Sequence, residues 1–150
     1  MKPRLRVVAA AMFDDAGRVL IAQRPEGKHM AGWWEFPGGK VGEGESDRDA
    51  LERELREELG VGSRAHRPIT TMSHEYPDRI VELVLWHASI ESGEPRGLDG
   101  QQLQWVDCQS LGNVGLLPAD LPLIPVLQGL SSRDDWRLTG RLEDREIYGR

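Results

Sequence analysis

Glu54, Glu57 and Glu58 fall within five consecutive residues of one predicted helix. At 100° per residue they occupy a face about 100° wide, next to the face on which Leu51, Leu55 and Leu59 recur every four residues. Like charges at i, i+4 destabilise a helix, so this face is costly unless cations neutralise it. Hard divalent cations bind carboxylate oxygens, and Mg²⁺ keeps several waters while also taking phosphate oxygens from a substrate. The cluster therefore implies metal-bridged phosphate chemistry, in which ions activate a water and stabilise charge on a leaving phosphate. A solvated helix face would account for any single glutamate, but it accounts poorly for the whole pattern.

The elements that hold these residues follow from local signals. Ser46 can cap a helix over 46–59, with Asp49 as the reciprocal partner in a capping box, and Gly60 is a C′ residue that ends it. Upstream, Leu5–Phe13 and Arg18–Arg24 read as two strands of a hairpin around Asp14-Asp15-Ala16-Gly17. A loop over 25–32 leads to a short aromatic strand, Trp33–Phe36, which Pro37-Gly38-Gly39 stops. Downstream, Ile69–Tyr76 and Arg79–Ser89 flank Pro77-Asp78, and the second is apolar on both faces, as a covered central strand should be. A Gly-rich loop over 91–102 precedes a strand at Leu103–Val106. A helix over 118–130 follows, which Pro125 should kink or shorten. Strands on either side of one helix, with another helix late, predict a mixed sheet between helices.

The chain has 150 residues, enough for one domain with a sizeable core. We expect that domain over 1–130 and a charged tail over 131–150 that docks as a short helix or stays partly ordered. A net charge of −6 argues against a general nucleic-acid binder. Cys108 stands alone, which rules out an intrachain disulfide and fits a reducing cytoplasm. No run approaches the ~20 apolar residues of a membrane span. The basic start lacks the apolar stretch and cleavage site of a signal peptide. The four histidines show no zinc spacing.

Over Gly39–Val61 the chain reads G-x5-E-x7-R-E-aliphatic-x-E-E-x-G-aliphatic. This segment resembles the Nudix box at every signature position. The resemblance implies the Nudix fold, an α/β/α sandwich with a mixed β-sheet. It also implies hydrolysis of nucleoside diphosphates linked to another moiety, dependent on Mg²⁺, with Mn²⁺ able to substitute. Carried onto this chain, Glu57 and Glu58 would be metal ligands, and Glu54 a ligand or the group that orients the attacking water. The Gly38 carbonyl would complete the metal site, and Glu45 would pair with Arg53 to hold loop to helix. The stretches Gly32–Lys40, Tyr76–Arg79, Gly93–Gln101, Gln104-Trp105 and Pro118–Pro122 are similar to the MutT-type branch of that family. That branch cleanses oxidised nucleoside triphosphates.

Outside the box, each candidate has a functional reading and a plainer one. Arg24, at a strand end, reads equally as a phosphate or sugar contact and as a surface arginine, and Asp78-Arg79 as a substrate contact or an ordinary turn. The resemblance favours substrate contact for all three. Phe36 and Tyr76 could stack on a base or pack in the core. Asp99 sits where MutT-type enzymes carry a glutamate that helps bind metal or activate water, and it is one methylene shorter. Asp120 stands where enzymes specific for oxidised guanine carry an asparagine. An ionised aspartate only accepts hydrogen bonds, so it suits guanine N1–H and N2–H₂ or a cytosine amino group, and it donates to guanine O6 only when protonated. Asp120 could instead, or in addition, cap a helix.

The resemblance thus implies a cytoplasmic nucleoside triphosphate pyrophosphohydrolase acting on 8-oxo-dGTP or another damaged nucleotide. Its partner would be that small molecule, with no polymeric nucleic acid and no membrane, and it would be a monomer or weak dimer. The rival readings are the same chemistry on CTP or modified cytidine nucleotides, on ADP-ribose or on dinucleoside polyphosphates, and an inactive nucleotide-binding module.

Overall fold

The computed structural model describes residues 1–132. Seven strands are formed: β1 (Arg4–Ala11), β2 (Val19–Gln23), β3 (Trp34–Glu35), β4 (Gly38–Lys40), β5 (Gly62–Glu75), β6 (Ile80–Ser92) and β7 (Leu103–Val106). Two α-helices, α1 (Asp47–Leu59) and α2 (Ile124–Ser132), and two 3₁₀ segments, Cys108–Asn113 and Pro118–Leu123, complete the described chain. The expected tail lies outside the described residues, apart from Ser131 and Ser132, which close α2.

A four-stranded mixed sheet runs β4-β1-β6-β5, with β1 and β6 parallel, and a three-stranded sheet runs β3-β2-β7. The alternation along the strands divides the core in two. Val8, Ala10 and Met12 of the first strand region, Leu20 of β2, and Val84, Trp86 and Ala88 of β6 pack with Leu51, Leu55 and Leu59 of α1. The intervening residues Ala9, Ala11, Val19, Ile21, Leu83 and Leu85 pack with Leu123, Leu127 and Leu130. A side-chain period of two thus makes each strand apolar on both faces, and helices cover both faces of an α/β fold. β6 lies between β1 and β5, as a central strand should.

α1 follows its local signals closely. The Ser46 side chain accepts a hydrogen bond from the Asp49 N–H, and Gly60 takes the left-handed conformation with its N–H on the Arg56 carbonyl. Burying its three leucines contributes roughly 5–9 kcal/mol. Each like-charge pair on the acidic face costs only about 0.5 kcal/mol or less. Tertiary burial therefore decides that the helix forms despite its glutamates.

The structure corrects five expectations. The turn after β1 is present, with Asp14 N–H on the Arg18 carbonyl, and a bridge joins Phe13 to Val19. Beyond that bridge the strands part into different sheets rather than forming a hairpin, because β1 takes β4 and β6 as partners while β2 takes β3 and β7. The aromatic strand does stop before Pro37, but Gly38–Lys40 then forms a strand of its own on the edge of β1. β5 begins at Gly62, well before Ile69. It accommodates Pro68 at a register shift, where a missing N–H is tolerated. β6 continues to Ser92, into the segment read as loop. The expected 118–130 helix is broken, with Pro122 inside the 3₁₀ segment and Pro125 in the first turn of α2, where a proline needs no N–H partner.

Candidate active site

The loop–helix junction is held by charge. Both Glu45 oxygens accept from Arg53, at 2.6 Å from Nε and 2.9 Å from Nη2, and Glu45 also accepts the Gly42 N–H at 2.7 Å. These bonds hold the Glu45 carboxyl down at about 2. The two-pronged geometry fixes orientation as well as distance. Arg53 Nη1 also donates to Glu54 at 3.1 Å and to Glu57 at 3.2 Å, and Nη2 donates to the Lys40 carbonyl at 3.2 Å. One guanidinium therefore ties β4, the loop and the acidic face of α1 together.

The three glutamates sit in three settings. The Glu54 carboxyl lies over the backbone of Gly39, where a Cβ would collide with it. Glu58 is mostly buried, and that burial, a hydrogen bond with Glu54, and the charges of Glu54, Glu35 and Asp99 all push its carboxyl up. Glu57 points outward on Arg53, with its side chain 59% exposed. The structure thus brings Glu54 and Glu58 together and leaves Glu57 apart. Among the described residues no group of three His, Cys, Asp or Glu side chains is arranged to share one ion. The Glu54–Glu58 contact nevertheless fits a divalent cation. Two carboxyls this close repel each other when both are ionised, and a cation between them compensates that charge.

Beside this pair is a cavity of about 320 Å³, whose lining includes Arg24, Phe36, Gly38, Glu58, Arg79 and Asp120. Its floor is Leu5, Val7, Val81 and Leu83 from the adjacent strands β1 and β6. Six of the residues singled out from sequence thus share one concave site. Asp99 stands outside it but lines an adjoining pocket with Arg24, Lys28, Glu35, Glu58 and Gln101. That placement has a cause: the Leu98 N–H and Gln101 Nε2 both donate to the Glu58 carbonyl, docking the loop on the end of α1. Asp78, 72% exposed, pairs with Arg79 at 3.4 Å on the turn and lines neither pocket.

Asp120 does not cap a helix. Leu117 holds that position, and Asp120 is the third residue of its 3₁₀ segment. The Asp120 side chain is buried and accepts the Phe36 N–H at 3.2 Å. Burial pushes its carboxyl up to about 7, against the downward pull of that N–H. Arg24 is similarly fixed, with Nε donating to the His29 carbonyl at 2.6 Å and Nη1 to Glu35 at 3.1 Å.

Glu35 is the residue that sequence reasoning missed. It lines both pockets, pairs with Arg24, and is pushed up chiefly by burial. An acid between Trp34 and Phe36 in a short strand was the available signal. Such a residue is expensive to cover without a partner.

The sequence and fold are similar to those of known proteins. A protein-family model described as a NUDIX domain matches residues 8–125. The chain is 39% identical over 123 residues to the CTP pyrophosphohydrolase of Escherichia coli K12, covering 82% of this chain and 91% of that protein. It is 32% identical over 127 residues to the 8-oxo-dGTP diphosphatase of the same strain, covering 85% and 98%. The solution structure of the E. coli ORF135 protein superposes with a TM-score of 0.76 at 37% identity, covering 88% of this chain and 94% of that one. A box whose arginine clamps loop to helix, an acidic helix face beside a concave pocket, and relatives aligned over most of their length lead to one conclusion: this chain belongs to the Nudix family and is a Nudix hydrolase.

Proposed function

We propose that the protein hydrolyses a nucleoside triphosphate to the monophosphate and pyrophosphate, with 8-oxo-dGTP as the substrate class. The observation that carries this reading is the shared cavity. Asp120, Phe36, Glu58 and Gly38 all line it, and the Phe36 N–H donates to Asp120. A base held at Asp120 would place its phosphates within the same cavity as Glu58. Mg²⁺ bound there would lower the pKa of a water and stabilise charge on the phosphates. Glu54 and Glu58 would hold it with the Gly38 carbonyl, and Glu57 would join them by leaving Arg53. Arg24, clamped by Glu35, would meet the phosphate or sugar, and Arg79 the mouth of the base pocket. Asp99, beside Glu58, would orient the attacking water. Sequence likeness to the E. coli 8-oxo-dGTP diphosphatase supports the same reading. No helix among the described residues is long and apolar enough to cross a membrane.

A second reading, hydrolysis of CTP or modified cytidine nucleotides, is favoured by Asp120 itself, since an ionised carboxylate accepts from the cytosine amino group. Likeness to the E. coli CTP pyrophosphohydrolase supports it. A panel of 8-oxo-dGTP, dGTP, CTP, 5-substituted dCTP, ADP-ribose and diadenosine polyphosphate, incubated with Mg²⁺ and analysed for products, separates the two. Turnover of none of the triphosphates overturns both. In the same assay Glu57→Gln should lower kcat by on the order of 100-fold or more, the loss expected when a charge worth several kcal/mol to the transition state is removed. Its melting temperature should be unchanged, because Glu57 is exposed.

A further inference from the structure

Arg79 reaches the cavity from the turn that joins β5 to β6, yet little of what holds it is polar. Its Nη1 meets only the exposed Asp78, at 3.4 Å, and its Nε is buried with no hydrogen-bond partner among the described residues. A charged side chain on a turn, held this loosely, would lose rotamer freedom on meeting a ligand. One contact does constrain it: the guanidinium carbon sits 5.0 Å from the ring centroid of Tyr76.

Tyr76 is itself held in place. Its N–H donates to the Arg79 carbonyl at 2.7 Å, closing the turn, and its carbonyl accepts from Lys2 Nζ at 3.1 Å. His74 meets the ring edge-on at 4.6 Å between centroids. The ring does not line the cavity, so it is neither a base-stacking platform there nor part of the core.

We infer that Tyr76 is a positioning residue: its ring is the platform on which Arg79 is pre-oriented over the nucleotide pocket, with His74 bracing the ring from the side. This rests on the triphosphate reading for its ligand, but the geometry belongs to the free protein. A cation over a ring face gains electrostatic attraction without giving up its hydrogen-bond donors. The guanidinium donors that face the cavity are therefore left for an acceptor on the ligand, and the ordering of Arg79 is complete before the ligand arrives.

The test compares wild type, Tyr76→Phe, Tyr76→Leu, Arg79→Ala and the double variant Tyr76→Leu/Arg79→Ala. Binding of 8-oxo-dGMP and CMP without metal is measured by calorimetry, and KM and kcat by triphosphate turnover. Tyr76→Leu should weaken binding and raise KM about 3- to 10-fold, the size of a partly desolvated cation–π contact, with kcat little changed. Tyr76→Phe, which keeps the ring, should match wild type. The double variant should be no worse than Arg79→Ala alone, because both substitutions remove one contact. Additive losses, or a Tyr76→Leu enzyme equal to wild type, overturn the inference. A readout independent of any ligand is ¹⁵N relaxation of the Arg79 Nε–H in the free protein, where Tyr76→Leu should raise its mobility. Equal mobility in the two proteins overturns the inference whatever the enzyme hydrolyses. A wild type that hydrolyses no triphosphate but shows that difference in mobility overturns the functional reading alone.

Discussion

At the scale of single residues, Asp120 has the most unusual setting. Its carboxyl titrates at about 7 instead of the ordinary 3.8, because burial penalises the charged form. Below about 7 it carries a proton and can donate to the O6 of a guanine-type base, and above about 7 it only accepts, as a cytosine amino group requires. The sign therefore differs with the base. As pH rises through 7, KM should rise for 8-oxo-dGTP and fall for CTP, measured on one preparation with Mg²⁺ saturating. Asp120→Asn, which donates and accepts at every pH, should abolish the inflection. Parallel KM profiles for the two substrates would remove Asp120 from base recognition. The residue's type and place were legible in sequence as a contrast between Asp and Asn. Its raised pKa was not, because the Phe36 N–H and the cover over it come from 84 residues away.

At the scale of elements, the loop–helix joint shows what local sequence can and cannot say. Ser46, the leucine stripe and Gly60 specify α1 within a dozen or so residues, so the helix and its ends were legible, as was the Glu45–Arg53 pair that locks it. Gly38 and Gly39 were legible as glycines but not as a strand, since β4 exists only by pairing with β1. The two glycines also have different duties. A Cβ on Gly38 would run into the Val8 carbonyl oxygen, whereas one on Gly39 would meet only the Glu54 side chain. Gly38→Ala should therefore destabilise the whole domain, by about 1–3 kcal/mol as overpacking does. Gly39→Ala should fold with a nearly normal melting temperature and lose kcat, because it displaces the Glu54 carboxyl. Paired thermal melts and turnover assays check this. Equal stability loss in both variants would show that Gly39 serves packing rather than the acidic site.

At the scale of the whole molecule, the two cores meet through strands that neither hairpin nor periodicity could assign. Partition of β1 and β2 between sheets was invisible locally because β1 pairs in parallel with β6, from Arg4↔Ile80 to Ala11↔His87. Near that last pair, His87 is buried between Phe13 and His66, at 5.9 and 5.0 Å between ring centroids, and its Nδ1 has no hydrogen-bond partner among the described residues. Burial, and next the neighbouring His66, hold the His87 imidazole down at about 3 from the ordinary 6.5. An unfolded chain binds that proton near 6.5 while the folded one refuses it until about 3. Stability is thus full above 6.5 and declines as pH falls toward 3. His87→Phe should flatten this decline in melting temperature between pH 6.5 and 4.5, and an unchanged slope would assign acid sensitivity elsewhere. The same parallel pairing also orders events on a growing chain. β1 is made first, yet its partner strand leaves the ribosome some 76 residues later, as the Arg4↔Ile80 register requires. Until then the floor made by Leu5, Val7, Val81 and Leu83 does not exist, and β1 presents a bare edge open to wrong partners. The acidic helix waits on the same strand, because Leu51, Leu55 and Leu59 are buried against Val84, Trp86 and Ala88 of β6, so the glutamates and the place for a base come into being together.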